Sequence, residues 1–160
     1  MHFLFHNFKH DFSFAELIDA IVSYIDENPR NHYEIVVGTD SRAAEKVCFV
    51  TAVGVWRVGH GGRYFWTKSP ESACPVLRDR IYKEAMQSIM LMQELKSALR
   101  ERLGEEFFWD NKITVHIDVG QNGPTREFID GLVGMVHGFG FEAAIKPYSF
   151  GASVLADRHT

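Results

Sequence analysis

The sequence predicts a single α/β domain, residues 1–160, built on a five-stranded mixed sheet. Runs of apolar and β-branched residues indicate the strands, and segments with apolar residues at helical spacing lie before, between and after them. The order is one helix, three strands, and then alternating helices and strands. Three strands joined by short turns form an antiparallel meander, and the αβ units that follow add further strands to the same sheet with helices on its faces.

The first helix occupies residues 13–30. Ser13 and Glu16 form the capping box that begins a helix, and Asn28 with Pro29 ends it. Apolar residues recur at helical spacing between these signals: Phe14, Leu17, Ile18, Ile21, Val22 and Ile25.

Three strands follow at residues 33–40, 46–58 and 63–69. They are rich in β-branched and aromatic residues, and the "GHGG" turn joins the second to the third. We therefore expect these strands to pair antiparallel.

In the second half of the chain, the spacing of apolar residues changes from that of strands to that of a helix. A long helix is predicted over residues 75–103, ended by Gly104. The fourth strand, 111–120, precedes a helix over 123–140, and the fifth strand, 141–150, is interrupted by Pro147. A short final helix is predicted over 149–160.

Composition limits the classes of function. The formal net charge of −4 gives no global attraction to nucleic acid, so such binding requires a local basic patch. No run of 18 apolar residues exists, which argues against membrane insertion. The two distant cysteines, Cys48 and Cys74, match no metal or redox motif and favour a cytoplasmic location. The sequence leaves open whether the chain forms a homo-oligomer.

Two apolar strands each finish on an aspartate. Asp40 ends the first strand in "EIVVGTDSR", and Asp118 ends the fourth in "KITVHIDVG". Either residue alone is explained by a turn, where Asp is common. Because ligands bind beyond the carboxyl ends of strands in such sheets, the pair together favours a functional site.

Two further carboxylates lie on separate elements. Glu84 falls within or beside the apolar stripe of the long helix, and the alternative is an ion pair with Arg80 or Lys83. Asp157 lies in "SVLADRHT", where the alternative is a solvated terminal residue. Four gathered carboxylates repel one another unless cations balance them. Their oxygen ligands select Mg²⁺ or Mn²⁺, and two such ions would support phosphodiester hydrolysis.

The element order, these acids and five stretches of sequence resemble the ribonuclease H-like superfamily, and more narrowly its bacterial YkuK-type family. The stretches are "VGTDS", "LRDRIYKEA", "HIDVG", "GPTREFIDGLVGMV" and "IKPYSFGASVLADRHT". The resemblance implies a ribonuclease H-like five-stranded sheet, to which the helix before the first strand is an addition.

The resemblance also implies roles for individual residues. Asp40, Glu84, Asp118 and Asp157 would be the catalytic metal ligands, and Asp157 or His159 would close the site from the last helix. We assign the candidate substrate-binding role to Ser41, Lys146 and Arg158. His159 is equally explained as a tail residue, and Lys146 as an ordinary surface lysine.

Two functions are compatible with this sequence. The first is a nuclease or phosphodiesterase that uses two Mg²⁺ or Mn²⁺ ions to act on RNA, an RNA–DNA hybrid or structured DNA. The second is a non-catalytic ribonuclease H-like module that binds nucleic acid or a protein partner.

Overall fold

A computed structural model describes residues 4–146 of the chain. The predicted final helix and the break at Pro147 lie outside these residues. So do three candidate site residues, Asp157, Arg158 and His159.

The described residues form a seven-stranded mixed sheet with the order β2-β1-β5-β4-β3-β6-β7. Strands β3, β4 and β5 pair antiparallel, as predicted. Strand β6 pairs parallel with β3, and β7 pairs parallel with β6. The strands are β1 Phe5–His6, β2 Asp11–Phe12, β3 Tyr33–Asp40, β4 Val50–Arg57, β5 Gly62–Lys68, β6 Lys112–His116 and β7 Glu142–Ala144.

The α/β class is confirmed, but the predicted count of five strands is wrong. The Phe-rich start of the chain contributes β1 and β2, which pair with each other, and β1 also pairs with β5 through His6 and Trp66. Each of the two added strands has only two residues. Such short strands carry no alternation from which a sequence could predict them.

The helices are α1 Phe14–Glu27, α2 Leu77–Leu103, α3 Phe107–Asp110 and α4 Ile129–Gly138. The capping box of α1 is present, with Ser13 Oγ accepting from Glu16 N and Glu16 Oε1 accepting from Ser13 N. The helix predicted over 123–140 is divided into a 3-10 turn, Arg126–Phe128, and α4. The four-residue helix α3 was not predicted.

Helices α1, α2 and α4 share one apolar core with the sheet. Its fully buried members include Leu17 of α1, Leu95 of α2, Leu132 of α4, and Val37 and Val115 of the sheet. In the described part of the chain, no helix is long and apolar enough to cross a membrane.

The order of the strands determines the positions of Asp40 and Asp118. The first and fourth predicted strands, β3 and β6, are hydrogen-bonded neighbours and run parallel. Their carboxyl ends therefore meet at one edge of the sheet, and α2 packs against β3.

Candidate functional site

Asp40 and Asp118 lie at the same edge of the sheet. The parallel register pairs Gly38 with His116, so its continuation by two residues brings Asp40 level with Asp118. Asp40 is the last residue of β3 and is buried. Asp118 follows β6 in a tight turn, in which Val119 N donates to Ile117 O over 2.9 Å.

Glu84 brings a third carboxylate to this edge from α2. It is buried, and its Oε2 accepts a hydrogen bond of 2.8 Å from the Ser41 hydroxyl. Burial raises the pKa of Glu84 to about 8, and the charges of Asp40 and Asp118 contribute to the increase. The hydrogen bond from Ser41 acts in the opposite direction, because it stabilises the ionised form.

One buried hydrogen bond fixes α2 against the sheet beside these acids, and a second joins the neighbouring strands β3 and β4 at the same residue. Thr39 Oγ1 lies 2.7 Å from Ser88 Oγ and 2.9 Å from Thr51 Oγ1. Thr39 directly precedes Asp40, and Ser88 lies one helical turn after Glu84. The hydroxyl cluster therefore sets the position of Glu84 relative to Asp40.

Lys146 enters the site from the end of β7. Its Nζ lies 2.7 Å from Asp118 Oδ1, and its backbone N donates to Val119 O over 2.9 Å. The hydrogen bond to Asp118 raises the pKa of Lys146, and the charges of Asp40 and Glu84 add to the effect.

The structure thus brings together five of the eight candidate site residues: Ser41, Asp40, Glu84, Asp118 and Lys146. The alternative for Glu84, an ion pair with Arg80 or Lys83, does not occur in the described residues. Ser41 is instead its hydrogen-bond donor, and Lys83 Nζ lies 5.3 Å from the ring centroid of Phe49.

Sequence reasoning missed the positioning residues Thr39, Thr51 and Ser88. The available signal was weak: a threonine precedes Asp40, and a serine follows Glu84 by four residues within an otherwise apolar stripe. Such polar residues on a buried face require hydrogen-bond partners, but the sequence does not identify them.

The donor atoms fit a hard divalent cation, because they are carboxylate and hydroxyl oxygens. Among residues 4–146, however, no group of three or more His, Cys, Asp and Glu side chains is arranged to hold a metal ion. Mg²⁺ commonly uses only one or two carboxylates and completes its shell with water and substrate phosphate. The carboxylate oxygens of Asp40, Glu84 and Asp118 are the donors of this kind at the edge, and Asp118 is also paired with Lys146.

Comparison with known proteins agrees with this architecture. The chain is 28% identical over 170 aligned positions to a protein of Bacillus subtilis (strain 168) named "Uncharacterized protein YkuK", and the alignment covers 99% of this chain and 97% of the relative. No solved structure matches the chain. The family model described as "Ribonuclease H-like" matches residues 16–160, and the chain therefore belongs to the ribonuclease H-like family.

Proposed function

We propose that this protein is a Mg²⁺- or Mn²⁺-dependent hydrolase of phosphodiester bonds in nucleic acid. The observation that carries the proposal is the buried carboxylate of Glu84 at the edge where β3 and β6 end. The negative charges of Asp40 and Asp118 both raise the pKa of this carboxylate. Gathering three acids is unfavourable by itself, and a bound cation offsets their repulsion. Membership of the ribonuclease H-like family supports the same reading.

The residues of the site have separate tasks in this proposal. Asp40 and Glu84 would hold the metal, which when bound would activate water and stabilise the leaving oxygen. Ser41 keeps the Glu84 carboxylate oriented through its hydrogen bond. Asp157, His159 and Arg158 keep their assigned roles as further candidates for metal binding, product release and substrate contact.

The bound polymer would be RNA, an RNA–DNA hybrid or structured DNA. Because the net charge is −4, only local basic contacts attract the phosphates. We therefore expect binding to weaken steeply as the salt concentration rises.

A second candidate is a non-catalytic module that binds nucleic acid or a protein partner. The ion pair between Lys146 and Asp118 favours it, because an ammonium group that neutralises the acid reduces the need for metal.

A cleavage assay separates the two candidates. Labelled RNA, RNA–DNA hybrid and branched DNA are incubated with Mn²⁺ and the wild-type protein or the Asp40→Asn/Asp118→Asn double variant. Lys112→Met, which alters an exposed lysine at the opposite end of β6, is the matched control for surface charge.

The proposal predicts cleavage by the wild type and the control but not by the double variant. Cleavage that persists in the double variant would reveal a contaminating nuclease. If the wild type cleaves no substrate, the binding module is favoured, and gel-shift titration with the same substrates then measures its affinity.

A further inference from the structure

A groove of about 300 Å³ lies between helix α1 and strand β5, next to β2. Its apolar lining includes Phe12, Tyr24 and Phe65, and the rings of Phe12 and Phe65 meet edge to face with their centroids 5.4 Å apart. Polar side chains also line it, among them Arg63 and Ser23. An apolar lining with a few polar groups is typical of sites that bind small molecules.

Arg63 is oriented in this groove but is not neutralised there. Its guanidinium carbon lies 4.5 Å from the centre of the Tyr24 ring, and its Nη1 donates to Gly62 O over 3.1 Å. Within residues 4–146, its Nε and Nη2 make no hydrogen bond, and no acidic side chain pairs with it. Arg63 therefore presents a positive charge and unused donors to the groove.

Arg57 lies over the same ring and differs from Arg63 in having a counter-ion. Its guanidinium carbon is 4.1 Å from the centre of the Tyr24 ring. Its Nη2 donates to Tyr24 O over 2.6 Å and to Glu27 Oε2 over 3.4 Å. Glu27 also lines the groove, so the acid nearest to Arg63 is already engaged. An anion beside Arg63 would balance the second positive charge near Tyr24.

Two neutral donors complete the polar lining. Asn7 Oδ1 accepts from the backbone N atoms of Lys9 and His10 over 2.8 and 2.7 Å, which leaves the Nδ2 group of Asn7 as a donor. The hydroxyl of Ser23 makes no hydrogen bond with any residue that the structure describes. The unused polar groups are therefore mainly donors, and they suit an oxyanion.

We propose that this groove binds a small monocarboxylate, whose apolar body packs against Phe12, Tyr24 and Phe65 and whose carboxylate accepts hydrogen bonds from Arg63. A guanidinium group matches a carboxylate in geometry, because its planar fork donates to both oxygens. The charges match too, since Arg63 supplies one positive charge and a phosphate monoester carries about −1.5 to −2.

The groove is separate from the acids at the edge of β3 and β6. Arg63 is the second residue of β5, whereas Asp40 is level with Val50, which in turn pairs with Lys68 at the far end of β5. Binding in the groove is therefore measurable whether or not the protein cleaves nucleic acid.

Titration followed by ¹H–¹⁵N NMR in metal-free buffer tests the proposal, with phenylacetate as the probe. We expect it to shift the amide signals of Ser23 and Gly62, with a dissociation constant on the order of 1 mM for so small a ligand. Phenylacetamide has the same shape without the charge, and acetate has the charge without the ring. Each should bind about tenfold more weakly or less.

Variants of Arg63 show whether its guanidinium group is the anchor. Arg63→Met should weaken phenylacetate binding about tenfold or more, and Arg63→Lys should have an intermediate effect, because it keeps the charge and loses the fork. Arg126→Met, which changes an exposed arginine before α4, should bind like the wild type. Circular dichroism verifies folding, and if Arg63→Met does not fold, Ser23→Ala replaces it with an expected loss of about threefold.

Each other outcome overturns the proposal. Equal affinity of the wild type and Arg63→Met for phenylacetate would show that Arg63 does not bind the anion. Equal affinity for phenylacetamide and phenylacetate would remove the role of charge. Tenfold tighter binding of phenyl phosphate would assign the groove to phosphate esters instead. Unshifted groove amides in the presence of phenylacetate would show that no carboxylate of this kind binds there.

Discussion

Ser41 donates a hydrogen bond of 2.8 Å to Glu84 Oε2, joining the residue after β3 to the third turn of α2. The contact links two residues separated by 43 positions in the chain, and it is the only side-chain hydrogen bond of Glu84 among the described residues. It favours the ionised carboxylate against burial and against the charge of Asp40.

Replacing Ser41 by alanine should raise the pKa of Glu84 above its value of about 8. A hydrogen bond to a charged group contributes about 1.5–3 kcal/mol, so we expect the pKa of Glu84 to increase by about one to two units. Carbon-detected NMR titration of the glutamate carboxyl groups measures it. Ser23→Ala, an exposed serine on α1, is the control. An unchanged Glu84 pKa in Ser41→Ala would show that the hydroxyl does not stabilise the carboxylate.

Replacing Ser88 by alanine should destabilise the fold by about 1–2 kcal/mol, because it removes a buried hydrogen bond to Thr39. Urea denaturation measures the free energy of unfolding. Ser97→Ala changes an exposed serine on the same helix and should have an effect within about 0.5 kcal/mol. Equal stabilities of the two variants would mean that the Thr39–Ser88 contact does not anchor α2.

The raised pKa of Glu84 predicts how the stability of the metal-free protein depends on pH. The folded-state pKa of about 8 exceeds the usual value of 4.5, so the folded protein binds more protons than the unfolded chain between these pH values. The contribution of Glu84 to stability is therefore complete below about pH 4.5 and is lost as pH rises through about 8. The loss should be on the order of a few kcal/mol.

Glu84→Gln removes this titration. Its free energy of unfolding, measured by urea denaturation in chelated buffer, should fall less than that of the wild type between pH 5 and pH 8. Glu94→Gln, an exposed position on α2, should follow the wild type. Parallel pH profiles for the wild type and Glu84→Gln would contradict the assignment of the buried proton to Glu84.

The two aspartates should respond differently to neutralisation in metal-free buffer. Asp40→Asn removes a charge that repels Glu84, so we expect an unchanged or higher melting temperature. Asp118→Asn removes the partner of Lys146, but this half-exposed ion pair is worth no more than about 1 kcal/mol. Differential scanning calorimetry should therefore rank Asp40→Asn above Asp118→Asn. A melting temperature for Asp40→Asn below that of the wild type would make Asp40 a structural residue and remove the main support for the metal site.

The sequence predicted the parts of the fold that carry a strong local pattern. The apolar runs of β3, β4 and β6 and the capping box of α1 were sufficient to place those elements. The strand ends of β3 and β6 also identified Asp40 and Asp118, because parallel neighbours share an edge.

The sequence could not give the contacts made between elements. Ser41 was assigned to substrate, yet its hydroxyl is bonded to Glu84, since the loop after β3 turns toward α2 only in the folded chain. Lys146 was expected to reach the site, but its pairing with Asp118 depends on the path of the chain after β7. Side-chain pairing across elements follows from tertiary packing and not from local spacing.

Anomalous diffraction from crystals grown with Mn²⁺ tests most directly the claim that the three acids form a metal site. The account predicts an anomalous peak bonded to Asp40 and Glu84 oxygens at the edge where Asp118 also lies, and no such peak in Asp40→Asn crystals. A well-ordered site without a peak at saturating Mn²⁺, or a peak bound only by residues elsewhere on the surface, would contradict it.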